Sequence, residues 1–360
     1  MRVLHVESGR HLYGGARQVL YIMEGLAHRG VENLLACPPG AHIAEPARAC
    51  SRVFELPMQG DVDFGLTGRL KRLISAEQPD LIHIHSRRGA DLWGGLAARL
   101  AGVPCVLSRR VDNPEARWVV NLKYRLYGHV ITISEGIRQV LLAEGLAADR
   151  VSCVRSAVDA RPYLIEYDRT AFRAALGLEA DTPLVGTVAQ LIPRKGHRHL
   201  LAALPQVLAR HPRLRVLIFG RGPLEAELRQ AIKDQGLTGN VRLMGFRDDL
   251  PTLIGCLDLL VHPADMEGLG VSLLQASAAR IPIIASRAGG MPEAVRDGLN
   301  GLLIEPGDVN GLVKAMNHLL DDASLRERMG NAGRQRVLDE FSIDAMCEGN
   351  LAVYRKVLEK

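Results

Sequence analysis

The 360-residue sequence predicts an α/β chain of two doubly wound domains, each a parallel sheet with helices on both faces. Three observations predict it. Short apolar runs alternate with longer amphipathic stretches along almost the whole chain. The length exceeds one ordinary core and fits two domains of roughly 150–200 residues each. The alternation breaks only once, between Asp159 and Thr182, where Arg161-Pro162-Tyr163 leads into a charged helical piece and then Asp181-Thr182-Pro183. The expected division is therefore residues 1–163, residues 164–342, and a helical tail at 343–360 that ends the second domain or crosses back onto the first.

Taken in order, the expected strands of the first domain are residues 2–7, 33–37, 52–56, 81–85, 105–108 and 129–133. Those of the second are 184–189, 215–219, 241–244, 257–262, 282–285 and 301–304. Helical segments between them include 16–28, 68–77, 136–144, 198–210 and 224–234. Strand–helix alternation implies right-handed crossovers within each sheet. Ligands of open α/β sheets bind beyond the carboxyl ends of the strands. Two such domains facing across a cleft put the chemistry in the loops just after strands.

Hydrophobic residues at 47% and charged residues at 24% are a globular balance, and aromatics at 4% imply an aliphatic core. The net charge of +5 is concentrated. Arg87, Arg88, Arg99, Arg109, Arg110, Arg117, Lys123 and Arg125 face only Asp91, Asp112 and Glu115, which accounts for the whole excess. Such a window suits an anionic partner, or is simply a solvated face. Arg109 and Arg110, just after a strand, are the candidates for binding an acceptor. The six cysteines are scattered without a CxxC pair, which argues against a disulfide framework or a zinc site. The opening residues read as a strand rather than a signal peptide, and no apolar run reaches the roughly 18 residues of a membrane span. The expectation is a cytoplasmic protein, at most peripheral on the inner face of the membrane.

The candidate site residues follow the strands. Gly14 and Gly15 end a glycine-containing loop and open a helix, without the spacing of a dinucleotide fingerprint or a P-loop. His83 and His85 share one face of their strand. As a metal site the pair lacks a nearby third ligand. His85, at the strand end, suits a hydrogen bond to a sugar hydroxyl or phosphate, and the competing reading is a structural histidine. In Gln190-Leu191-Ile192-Pro193-Arg194-Lys195-Gly196, Lys195 precedes a helix and can meet a diphosphate. Gly222, and Gly245 with Phe246, lie in strand-end loops whose amides could read a nucleobase. The strongest segment is Glu267-Gly268-Leu269-Gly270, a carboxylate for sugar hydroxyls beside a helix start that favours phosphate.

In order along nearly the full length, Gly14-Gly15, Pro79-Asp80, His83-x-His85, Ile133-Ser134-Glu135, Lys195-Gly196, Gly220-x-Gly222-Pro223, Gly245-Phe246, Glu267-Gly268-x-Gly270 and Gly289-Gly290-x-Pro292-Glu293 resemble the family 4 retaining glycosyltransferases of GT-B fold. The resemblance implies transfer of a sugar from a nucleotide diphosphate sugar, UDP-linked rather than GDP-linked, to a hydroxyl acceptor. It implies retention of anomeric configuration, no metal and no further cofactor. Catalytic roles fall to His85, Lys195 and Glu267; Gly14, Gly15, Gly268, Leu269 and Gly270 would bind donor. Three positions depart from the pattern. Gln275 stands where the family's second carboxylate holds the ribose, Gln190 stands where an arginine holds phosphate, with Arg194 nearby to compensate, and Ser156-Ala157-Val158-Asp159 replaces Asn-Gly-Val-Asp.

The acceptor expectation is a glycan or lipid-linked glycan of lipopolysaccharide type. The stretch from Arg117 to Tyr127, basic, apolar and aromatic at roughly helical spacing, suits an anionic membrane surface or an ordinary wet helix face. An epimerase fits the ordered motifs worse. A degenerate nucleotide-sugar-binding scaffold is the non-enzymatic alternative, marked by Gln190 and Gln275. Nucleic acid is not expected, since the basic window carries no recognised binding motif.

Overall fold

The computed structural model describes residues 1–12, 14–86, 89–111 and 113–359. Tyr13 and Lys360 lie outside the described residues, and so do Arg87, Arg88 and Asp112 of the basic window. The chain divides into unit 1, Met1–Ala157 with Ile343–Lys360, and unit 2, Val158–Ser342. The division precedes residue 163 because Val158 and Tyr163 are already packed into the core of unit 2, whereas Ala157 belongs to a cluster of unit 1.

Unit 1 runs β1 (Arg2–Val6), α1 (Gly14–Ala27), β2 (Glu32–Cys37), α2 (Ala44–Ala47), β3 (Arg52–Glu55), α3 (Gly65–Glu77), β4 (Leu81–Ile84), α4 (Gly95–Ala101), β5 (Cys105–Arg109), α5 (Arg117–Lys123), β6 (His129–Thr132), α6 (Glu135–Ala143) and β7 (Val151–Cys153). Its sheet is ordered β3-β2-β1-β4-β5-β6-β7, with parallel pairing throughout. β4 reads Leu-Ile-His-Ile and is buried at every position, as a parallel strand covered on both faces must be. β7 is an edge strand of three residues, too short to register as an apolar run. In α1, Val19, Ile22, Met23 and Leu26 are buried at helical spacing.

Unit 2 runs α7 (Arg169–Ala175), β8 (Leu184–Val188), α8 (His197–Arg210), β9 (Arg215–Phe219), α9 (Glu225–Asp234), β10 (Val241–Gly245), α10 (Leu250–Leu253), β11 (Leu259–His262), α11 (Val271–Ala278), β12 (Ile283–Ser286), α12 (Met291–Ala294), β13 (Gly301–Ile304), α13 (Val309–Asp321) and α14 (Ala323–Glu340). Its sheet is ordered β10-β9-β8-β11-β12-β13, again all parallel. Aspartates 168, 308 and 322 cap α7, α13 and α14 by accepting a backbone N–H three residues on.

The last helix, α15 (Ile343–Leu358), belongs to unit 1. Met346, Leu351, Tyr354 and Val357 bury there against Val3, Ile22, Leu26 and Leu81. Gly25 on α1 lets the helices meet, because a Cβ there would stand 2.3 Å from Cys347 Sγ. Both units are thus doubly wound, Rossmann-like sheets. Strand order reverses direction between β1 and β4 in unit 1 and between β8 and β11 in unit 2, the positions where such folds hold ligands.

Candidate functional site

The switch point of unit 2 brings together two loops that are some seventy residues apart in sequence. The loop after β8 ends in a 3₁₀ turn, Pro193–Lys195, and the loop after β11 carries Glu267. Lys195 Nζ donates to Glu267 Oε2, with both side chains largely buried. His262, the last residue of β11, places Nε2 at 3.2 Å from the same oxygen, and the Gly268 amide donates to Oε1 at 3.0 Å. Burial alone would raise the Glu267 carboxyl. The His262 hydrogen bond and the Lys195 ammonium outweigh it and hold the group well below the usual carboxylate range. Glu267 is therefore ionised, and it faces a cation at the carboxyl end of the sheet, a place suited to ligands.

Backbone bonds fix the pair. The Asp265 amide donates to Arg194 O at 2.9 Å, and the Gly290 amide donates to Glu267 O at 3.1 Å. Gly196 makes the approach possible. Its φ of +69° suits glycine, and a Cβ there would lie 1.8 Å from Pro263 O. Gly222 plays a similar part, since its Cβ would meet Leu191 O at 2.4 Å. Among the described residues no side chain caps α11, whose N-cap is Gly270 at φ +87°. The first amides of that helix are thus available to an anion. Gln275 is half-buried within α11, Leu269 is buried, and Gln190 turns its side chain outward while its carbonyl partners His197 Nε2 at 3.1 Å. Gly245 ends β10, and the guanidinium of Arg221 sits 4.5 Å from the Phe246 ring centroid.

In unit 1 the matching switch point collects Glu7, His85 and Arg110. His85, 1% exposed, follows β4, and Arg110 follows β5. Arg110 Nη2 lies 3.5 Å from His85 Nδ1, and its buried Nε has no hydrogen-bond partner among the described residues. A Cβ on Gly15 would lie 3.9 Å from Arg110 Cδ, so the Gly14-Gly15 loop borders the same group. Glu7 at the end of β1 is buried and accepts the Gly9 amide at 2.7 Å. Burial raises its carboxyl, against the pull of the Gly9 amide and Arg110.

Two readings need correction. Arg109 does not stand beside Arg110 as an acceptor contact. It is the last residue of β5, 2% exposed, bonded to Asn113 O and 3.1 Å from Glu115. Alternation along the strand turns Arg109 inward and leaves Arg110 at the sheet end. The histidine pair also has a third neighbour. His5 of β1 brings its ring to His83 and His85, with one ligand atom from each lying within 4.8 Å of the others. Residues 5 and 83 pair in register across β1 and β4, a proximity that only the strand order reveals. His262, Glu7 and Arg221 were likewise not singled out; each ends or follows a strand, which is the one signal that could have marked them.

The glycosyl transferases group 1 family matches residues 168–336, and Glycosyltransferase Family 4 matches residues 13–161. The chain is 27% identical over 355 residues to the lipopolysaccharide core biosynthesis glycosyltransferase LpsE of Rhizobium meliloti, covering 98% of each chain. It is 31% identical over 304 residues to 2-deoxystreptamine glucosyltransferase of Streptomyces kanamyceticus, covering 78% of each. A solved structure of HepE from Anabaena in complex with UDP-glucose superposes with a TM-score of 0.85 at 22% identity, over 99% of this chain and 100% of that one.

Proposed function

The chain belongs to the family 4 glycosyltransferases of GT-B fold, and from that premise we propose that it moves a sugar from a UDP-sugar to a glycan hydroxyl with retention of anomeric configuration. The observation that carries the reading is the buried Lys195–Glu267 pair at the switch point of unit 2. In the proposed step the bond from the anomeric carbon to the diphosphate oxygen breaks. The acceptor oxygen bonds to that carbon on the same face, and its proton passes to the departing diphosphate. Lys195, with Arg194 beside it, offsets the charge that develops on the leaving group, so the step calls for no metal. Glu267, held ionised, accepts hydrogen bonds from sugar hydroxyls. The amides that open α11 take a phosphate, and Gln275 takes a ribose hydroxyl as a neutral partner. Arg110 serves the acceptor.

The UDP preference is supported by the UDP-glucose complex of the Anabaena structure, and a cell-envelope acceptor by the lipopolysaccharide role of the Rhizobium relative. An anionic membrane surface is supported by α5, where Trp118 and Leu122, one turn apart, are 71% and 65% exposed, with exposed Arg117 on the same helix and exposed Arg125 in the turn that follows it. Among the described residues no helix is long and apolar enough to cross a membrane.

A thermal-shift panel of UDP-, GDP- and ADP-sugars tests the donor. A UDP-sugar should raise the melting temperature of the wild type, and Lys195→Ala should abolish the rise. No shift with any nucleotide sugar would remove the reading. Binding without turnover on any glycan acceptor would instead favour a scaffold that has lost activity through Gln190 and Gln275.

A further inference from the structure

We propose that His5 and Asn33 are positioning residues that hold His85 in a single tautomer, presenting a bare Nδ1 that accepts a hydrogen bond from a substrate hydroxyl. The inference rests on the transferase reading for its substrate, and on the bond network of unit 1 for its geometry.

The network can be read from either end. Asn33 Nδ2 faces two backbone carbonyls, Met23 O at 2.9 Å and Cys50 O at 3.3 Å. Carbonyls only accept, so this nitrogen is the amide NH₂, and Asn33 Oδ1 is the atom 3.2 Å from His5 Nε2. His5 Nε2 must then carry a proton. Burial lowers His5 to about 4, so the ring is neutral and its Nδ1 is bare. That Nδ1 lies 2.9 Å from His85 Nε2, which must therefore donate. The other nitrogen of a neutral His85 is bare, and burial, then His83 and His5, keep that ring neutral. From the far end, the hydrogen-bond partner of His85 Nδ1 is the Arg110 guanidinium at 3.5 Å, which can only donate. Both ends assign the same tautomer.

The other use of three clustered imidazoles, a metal, fits less well. His83 spends its nitrogens on Tyr354 OH at 2.6 Å and Ser108 Oγ at 2.8 Å, and a metal would also break the bond shared by His5 and His85. The contact to Arg110 is long, so a substrate hydroxyl arriving at the ligand-facing end of the sheet can take the place of the guanidinium on Nδ1. A substrate group docking there has to be a donor, so a hydroxyl fits and a fluorine in its place does not.

Histidine-selective ¹⁵N labelling of the full chain reads the tautomers directly, with His85→Gln identifying the His85 resonances. The wild type should show His85 protonated on Nε2 and bare on Nδ1 at neutral pH. His5→Leu and Asn33→Leu should shift His85 toward the Nδ1–H form and lower kcat roughly tenfold or more. His5→Asn, whose oxygen can replace Nδ1 as the acceptor, should restore most of both. A wild-type His85 protonated on Nδ1, metal-bound imidazoles, or an unchanged tautomer in His5→Leu would each overturn the proposal. The spectra need no turnover, so the result stands apart from that of the transferase assay.

Discussion

At Lys195 and Glu267 two charges are removed from water, and each depends on the other. Replacing Glu267 with Gln leaves the ammonium buried without a counter-charge. Breaking one side of such a pair costs roughly 3–5 kcal/mol. Glu267→Gln should therefore lower the melting temperature as well as transfer, and Lys195→Met, which leaves the Glu267 carboxylate with His262 and the Gly268 amide but no ammonium, should do the same and reduce transfer about a hundredfold or more. Calorimetry beside a turnover assay separates the two effects. Buried His5, His83 and His85 of unit 1 set a pH window. His5 is held near 4 by burial, so between that value and the ordinary histidine range the unfolded chain binds the proton more readily. Stability is full at neutral pH and is lost as the pH falls through the window. For His5 alone the loss should be about 2 kcal/mol between pH 7 and pH 5. Urea unfolding at both pH values checks this, and His5→Leu should shrink the difference without abolishing it, because buried His83 and His85 are lowered as well. Lys195, Glu267 and His85 were legible in the sequence because each follows a strand and carries obvious chemistry. Arg109 was misread because adjacent arginines look alike until strand alternation sends one inward. His5 and Asn33 were invisible because their roles come from neighbours distant in sequence, whereas His262 lies five residues from Glu267 and only its place at the end of β11 marks it.

Loops after β8 and β11, the proposed donor side, come together only because Gly196 lets their backbones meet. Gly196→Ala would force a side chain into the left-handed region, at about 1 kcal/mol, and against the Pro263 carbonyl. It should weaken binding of a UDP-sugar and lower the melting temperature although the residue offers no side chain to the ligand. Wild-type affinity by calorimetric titration would show that the two loops are not held by this contact. Strand and helix periodicity made nearly all of the parallel strands legible, since covered parallel strands are short apolar runs. The edge strand β7 escaped because three residues carry no period. On α5, Trp118→Ala with Leu122→Ala should reduce flotation with anionic vesicles while leaving the fold intact, and equal flotation would assign that face to solvent.

The whole chain is two separately packed units threaded by one helix, because α15 returns to unit 1 after unit 2 is complete. Deleting residues 343–360 removes Tyr354, the partner of His83, together with a wall of the cluster around Val3 and Ile22. The truncated chain should lose hydrogen-exchange protection in unit 1 and keep it in unit 2; uniform loss would mean that the units do not fold independently. The helical character of that tail was plain from its pattern, but its destination was not, because amphipathicity tells which face is buried and not which core receives it. The central claim is that the Lys195–Glu267 pair drives transfer from a nucleotide sugar. Release of nucleoside diphosphate, measured with UDP-sugars and lipid-linked glycan acceptors for the wild type and for Lys195→Ala, tests it most directly. The account predicts acceptor-dependent release by the wild type and almost none by the variant, and equal release by both would contradict it.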